Sequence, residues 1–180
     1  LGDGWAIPNV FGLVVKDEEF ASAVRKALQE VGVRVSPRTR LSNGFYSAFA
    51  YSKSFSDWIR STNLAFLGQH IQDNSLVCAF LKGFYDSEGS LSRDKRGYLQ
   101  LRIYNSNMDL LILVKSMLER IDIAGVIYRD GVKKQGTRKW IVDHYACMNK
   151  EYFSLALTKQ ANIQSFLKQV GSNIPRKAGK

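Results

Sequence analysis

The chain has 180 residues, 45 % of them apolar and 23 % charged, with a formal net charge of +10. That length suffices for one or two compact units with a sizeable core. It excludes a disulfide-built secreted module, because there are only two cysteines, and a helical membrane span, because no apolar run nears the roughly 20 residues a bilayer requires. Cys78 and Cys147 read as buried free thiols, His70 and His144 as structural histidines. No signal peptide is visible, so an intracellular protein acting on the genome is expected. The charge is concentrated in residues 33–60, 90–105 and 127–140, leaving the rest nearly neutral. Those windows read as strands and hairpin turns, and basic sheets are the electrostatic footprint of nucleic-acid binding.

Taken in order, Trp5–Ile7 and Val10–Val15 are strand-like, with Pro8-Asn9 as the turn. Acids at Asp17-Glu18-Glu19 open a helix with Phe20, Val24, Leu28 and Val31 on its apolar face, ended by Gly32. Residues 33–41 and 45–51 alternate about the turn Ser42-Asn43-Gly44, predicting a hairpin with one basic and one aromatic-apolar face. A short helix follows over 54–61, then a connection over 63–74. Leu76, Val77, Phe80, Phe84 and Tyr85 predict an apolar helix, interrupted by Gly83 at a cost of about 1 kcal/mol against Ala. Gly83 implies that another backbone packs closely there. Residues 90–104 form a second hairpin around Asp94–Gly97, with Gln100, Arg102 and Tyr104 on its polar face. Asn107 caps a helix through Ile121. Residues 126–129 and 139–146 flank a basic loop, 151–157 read as helix, 163–170 as a last helix, and 175–180 as a frayed basic tail.

The central helix ends Leu81-Lys82-Gly83-Phe84-Tyr85-Asp86-Ser87-Glu88-Gly89. Asp86 and Glu88 stand at the helix end that the dipole makes unfavourable for anions, a placement that belongs to function more often than to stability. The chain opens Leu1-Gly2-Asp3-Gly4, and placing Gly4 on Gly89 puts Asp3 on Glu88. The segments after the two copies follow the same order, which reads as a duplicated small domain rather than a solenoid repeat.

These residues resemble the LAGLIDADG homing endonucleases. Leu81, Gly83, Asp86 and Gly89 match the signature, Glu88 stands where that family carries its catalytic acid, and Leu1–Gly4 is similar to the end of the first motif in an archaeal-like, single-chain, two-motif member. The first motif helix is missing all but its end, which implies a weakened interface between the halves. The resemblance implies an α+β fold: pseudo-two-fold αββαββα units, residues 1–68 and 69–180, with two antiparallel sheets forming a DNA-binding saddle about paired motif helices. It implies a monomer that cuts both strands of a long DNA target. Two or three Mg²⁺ ions would assist, with Mn²⁺ or Ca²⁺ as substitutes. Asp3 and Glu88 would be catalytic metal ligands, helped by the carbonyls of Gly2 and Ser87, and Lys53 and Lys16 would assist at the phosphates; Asp86 reads as structural. DNA contacts are expected from Arg34, Arg38, Arg40, Arg93, Lys95, Gln100, Arg102, Lys133, Arg138 and Lys139, since the major groove admits a two-stranded ribbon. An intron-encoded source fits better than an intein, because the chain does not end in His-Asn. The alternatives are an intron maturase of the same fold, with intron RNA as partner, or a non-cleaving DNA-binding protein such as a repressor.

Overall fold

The computed structural model describes residues 4–37, 41, 44–132 and 151–179. The first sheet comprises β1 (Gly4–Ile7), β2 (Val10–Val15) and β3 (Tyr46–Tyr51), antiparallel in the order β1-β2-β3. Pro8-Asn9 makes the β1–β2 turn, with Asn9 in the left-handed region (φ 69°) that Asn tolerates better than most residues. Helix α1 (Glu18–Glu30) packs on the inner face, burying Phe20, Ala21 and Leu28. Of the strand expected over 33–41, the described residues form a bridge of Val35 to Ala50, flanked by bonds from Ser36 N–H to the Phe49 carbonyl and from Tyr51 N–H to the Arg34 carbonyl; residues 38–40 lie outside the described residues. Pro37, which lacks an N–H, comes two residues after Val35. Helix α2 (Lys53–Ser61) is capped by the Ser52 hydroxyl and α3 (Leu64–His70) by the Asn63 side chain.

Helix α4 (Asn74–Glu88) carries the signature, and the Asp73 carboxylate caps it by accepting from Ser75 N–H at 2.7 Å. The second sheet has the order β4-β5-β7-β6, from β4 (Gly89–Arg93), β5 (Leu99–Asn105), β6 (Val126–Val132) and β7 (Glu151–Leu157). Helix α5 (Met108–Arg120), capped by Asn107, lies between β5 and β6, and α6 (Gln160–Gln169) follows β7. The helix expected over 151–157 is therefore a strand. Placed between β5 and β6 it buries Ser154 to Leu157 without a break, which removes the alternation that marks a half-exposed strand. The strand expected over 139–146 lies outside the described residues, as do His144 and Cys147.

Both halves repeat strand, strand, helix, then two further segments. Residues 33–36 beside β3 occupy the place of β6 beside β7. The larger core gathers Leu81, Tyr85, Ile103, Leu111, Leu118, Leu155 and Phe166, all almost inaccessible to solvent. The smaller core gathers Leu13, Val15, Phe20 and Ala48, and takes in Ile174 from the C-terminal segment. That segment is ordered rather than frayed: Pro175–Lys177 is a single 3₁₀ turn and Lys177 is buried. Cys78 is a half-buried free thiol beside the larger core. Among the described residues no helix is long and apolar enough to cross a membrane.

Candidate active site and nucleic-acid face

Helix α4 runs into β4 with no intervening loop, Glu88 being its last residue and Gly89 the first of the strand. Glycine is needed there sterically. A Cβ on Gly89 would stand 2.0 Å from the Tyr85 ring. Tyr85 itself is fully buried, edge-on to Phe166 at 5.0 Å, and its hydroxyl donates to the Lys177 carbonyl at 3.1 Å. Burial pushes the Tyr85 phenol well above its ordinary pKa, so it stays protonated. Asp86 is buried too. It accepts from the Ser172 hydroxyl, the Asn173 backbone N–H at 3.1 Å and the Asn173 side-chain amide at 2.8 Å, which makes it a structural acid. Lys177 donates to the carbonyls of Asp86 (2.6 Å) and Tyr85 (3.3 Å). A cation thus caps the helix C-terminus, where the dipole favours one.

Glu88 and Ser87 are half-buried at this end. Their donors, a carboxylate and a backbone carbonyl, are hard oxygens of the kind Mg²⁺ accepts. Among the described residues no three His, Cys, Asp or Glu side chains converge. Gly2 and Asp3 lie outside the described residues, so their position relative to Glu88 is not part of this geometry. Gly83 and Ala79 are solvent-exposed, and no atom of the described residues comes within 4 Å of where a Gly83 Cβ would stand. The close backbone expected there is not among them.

Beside Ser87 lies a cleft of about 300 Å³ between the two halves, lined by Val14, Lys16, Asp17, Phe45, Asp86, Ser87, Arg176 and Lys177, among others. Lys16 stands at its edge, 5.9 Å from the centroid of the Phe45 ring. Lys53 does not line it. Val15 pairs with Tyr46 and Val10 with Tyr51, so Lys16 and Lys53 stand at opposite ends of the β2–β3 ladder. At about 3.4 Å per residue that is roughly 20 Å. Lys53 is ion-paired with Asp57 at 2.5 Å, a bond that lowers the Asp57 pKa. Asp17, Arg176 and Lys177 were not among the expected site residues. Their only trace in sequence is a basic tail and an acid before a helix.

On the second sheet, Ser90 pairs with Arg102 and Ser92 with Gln100, so these four share the outward face with Tyr104. Arg102 lies 3.8 Å from Asp130 on β6. Arg93 and Lys95 are exposed around the hairpin turn, where Arg93 donates to the Gly97 carbonyl at 2.8 Å. The first sheet differs. Its outward face carries Trp5, Ile7, Val10, Gly12, Val14, Phe49 and Tyr51, with Arg34 beside Tyr51 at the edge. The Trp5 indole lies over Gly12, where a Cβ would meet it at 2.3 Å, and sits 6.1 Å from Phe49. The expected basic face is not formed by the described part of this hairpin. Its other arginines, Arg38 and Arg40, lie outside the described residues, as do Lys133, Arg138 and Lys139.

A family model described as LAGLIDADG-like domain matches residues 75–171, more than half of the chain. The chain belongs to this family. An uncharacterized protein of Methanocaldococcus jannaschii, MJ0314, is 32 % identical over 127 residues, covering 66 % of this chain and 48 % of the relative. The chain thus spans about half the length of that relative. Among solved structures, I-DmoI in complex with DNA and Mn superposes with a TM-score of 0.61 at 18 % identity, over 93 % of this chain and 88 % of that one. Full-length DUF199/WhiA of Thermatoga maritima gives a TM-score of 0.60 at 17 % identity, over 95 % of this chain and 50 % of that one. The fold is therefore the α+β LAGLIDADG fold, with two antiparallel sheets and six α-helices among the described residues.

Proposed function

We propose that the chain is a site-specific endonuclease that cuts both strands of a long DNA target by metal-assisted phosphodiester hydrolysis. The observation that carries this reading is Glu88, a half-buried acid at the C-terminal end of α4, next to a cleft edged by Lys16 and contiguous with the polar face of β4 and β5. An acid set against the helix dipole is explained by a cation it holds. Support also comes from the similar fold of the homing endonuclease I-DmoI, whose structures include complexes with DNA and Mn and with DNA and Ca.

In this reading Glu88 and Asp3 hold Mg²⁺, with the carbonyls of Ser87 and Gly2 completing the protein's donors. Bound there, the metal would polarise the phosphate and lower the pKa of a bound water. Lys16 neutralises the phosphate that enters the cleft. Lys53 serves a phosphate at the far end of the first sheet, exchanging Asp57 for it. Gln100 and Arg102 read base edges, while Arg93, Lys95 and Arg34, with Arg38, Arg40, Lys133, Arg138 and Lys139, hold the backbone. The monomer divides into pseudo-symmetric halves, 1–68 and 69–180, a boundary that falls within α3. An intracellular, intron-encoded protein fits this activity.

A second reading is a maturase that binds intron RNA, or a non-cleaving DNA-binding protein. The aromatic outward face of the first sheet favours it, because unpaired bases stack on such rings. The deciding experiment offers DNA spanning the candidate insertion site with Mg²⁺ to wild type and Glu88→Gln. Cutting at one long site that Glu88→Gln abolishes is the expected result. Tight binding without cutting by wild type overturns the endonuclease and leaves the second reading.

A further inference from the structure

The C-terminal segment reaches three parts of the molecule within six residues. Ile174 is buried in the small core of the first half. Arg176 binds Asp17, at the start of α1, through both carboxylate oxygens, its Nη2 at 3.0 and 2.8 Å. Ser172 and Asn173 donate to Asp86, and Lys177 donates to the carbonyls of Asp86 and Tyr85. The last two sets oppose one another. The helix gives an acid to the tail, and the tail returns an ammonium to the helix carbonyls. The residues so gripped directly precede Ser87 and Glu88. The same segment touches the stretch that carries Lys16, because Asp17 is its neighbour.

From this we infer that Ser172–Lys177 is a clasp that positions the end of α4 against the Lys16 strand, and that Lys177 is a positioning residue for the hydrolysis. It rests on the endonuclease reading. The physical argument is one of coordination. The last carbonyls of a helix lack the partners that the preceding turns enjoy; here the Tyr85 carbonyl accepts from the Gly89 N–H, and a buried cation ties both it and the Asp86 carbonyl to the tail. With that cation removed, the last turn loosens and the acid loses its fixed place relative to the cleft. Misplacement of a reacting group by about 1 Å can cost about a hundredfold in rate. Lys177 belongs to the wall of the cleft, but it is buried and its ammonium is taken up by the helix carbonyls, so its removal acts on the placement of Glu88 rather than on a direct DNA contact.

The test compares wild type, Lys177→Met and Lys177→Arg. Methionine keeps the buried chain and removes the donor; arginine restores a cation. Single-turnover cleavage with enzyme in saturating excess over DNA is expected to slow at least about tenfold in Lys177→Met and to recover most of the loss in Lys177→Arg, with duplex Kd changed by less than about twofold. A Lys177→Met enzyme that cuts as fast as wild type overturns the inference. So does a loss of rate matched by a rise in apparent Kd, both in proportion to lost folded protein. If wild type does not cut, the endonuclease reading fails, and amide hydrogen exchange then tests the clasp alone. Faster exchange in Lys177→Met confined to residues 86–90 and 172–177 supports it, whereas unchanged exchange there overturns it.

Discussion

Gly4 pairs with Leu13 in the first sheet as Gly89 pairs with Ile103 in the second. Inward positions therefore match, Leu13 with Ile103, and both are buried and apolar. Outward positions match as well, and there the chemistry departs. Ser90 and Ser92 stand where the first sheet has Trp5 and Ile7. Gln100, Arg102 and Tyr104 stand where it has Val10, Gly12 and Val14. A duplicated backbone is held by what its inner face must bury, while the outer face is free to diverge. The second sheet offers donors and acceptors of the kind that base edges accept. The first offers apolar surface and aromatic rings, suited to thymine methyls or stacked bases. A target read by both is expected to be asymmetric, although the scaffold is nearly two-fold.

The largest effects concern the inner faces. Ile103→Ala is expected to cost about 2–5 kcal/mol in urea unfolding, and Leu13→Ala the lower end of that range, because the smaller core can collapse around the loss. Equal costs would break the distinction between a large and a small core. Next come the outer faces. Arg102→Ala is expected to weaken duplex binding by about 1–3 kcal/mol and to flatten its salt dependence. Trp5→Ser is expected to leave the salt dependence unchanged, and a flattened slope there would mean the first sheet also works through phosphates.

The smallest effect separates two acids that stand just before a helix. Asp73 bonds the start of α4, and the Ser75 hydroxyl and then the Ser75 N–H hold its carboxyl below the ordinary value of 3.8. Asp17, at the same position before α1, makes no such cap and binds Arg176 instead. Asp73→Ala should lower the urea midpoint by more than Asp17→Asn, which should cost about 0.2–1 kcal/mol through the exposed ion pair alone. Because the folded Asp73 pKa is depressed, its contribution is present above pH 3.8 and is lost as pH falls through the folded value. Unfolding of wild type and Asp73→Ala should converge below that point, and a gap that persists in acid would sink the assignment.

The sequence already displayed most of the second half. Leu99, Leu101 and Ile103 alternated clearly, Asn107 announced a cap, and Asp86-Ser87-Glu88-Gly89 marked the motif end that Tyr85 and Gly89 build. What stayed hidden had a physical cause in each case. In strand β7 the outward Ser154 and Ala156 are small and shielded by Arg102 and Tyr104 beside them, so Ser154 to Leu157 are all buried and the polar-apolar contrast of a half-exposed strand is faint. Residues 33–41 alternate like a strand, yet among the described residues only Val35 bridges, and a pattern does not say whether a partner edge is in reach. Asp17, Arg176 and Lys177 were illegible because their meaning comes from contacts across more than ninety residues. No local spacing records such contacts.

The direct passage of α4 into β4 has a mechanical consequence. A loop at that point would act as a joint, and Gly89 could have supplied one, but the Tyr85 ring fills the space beside it. The helix and the strand therefore behave as one beam with Glu88 riding at the weld. A displacement that a ligand imposes on β4 would reach the acid with no joint to absorb it, so under the proposed function the surface that reads a target and the group that acts on it share a single member.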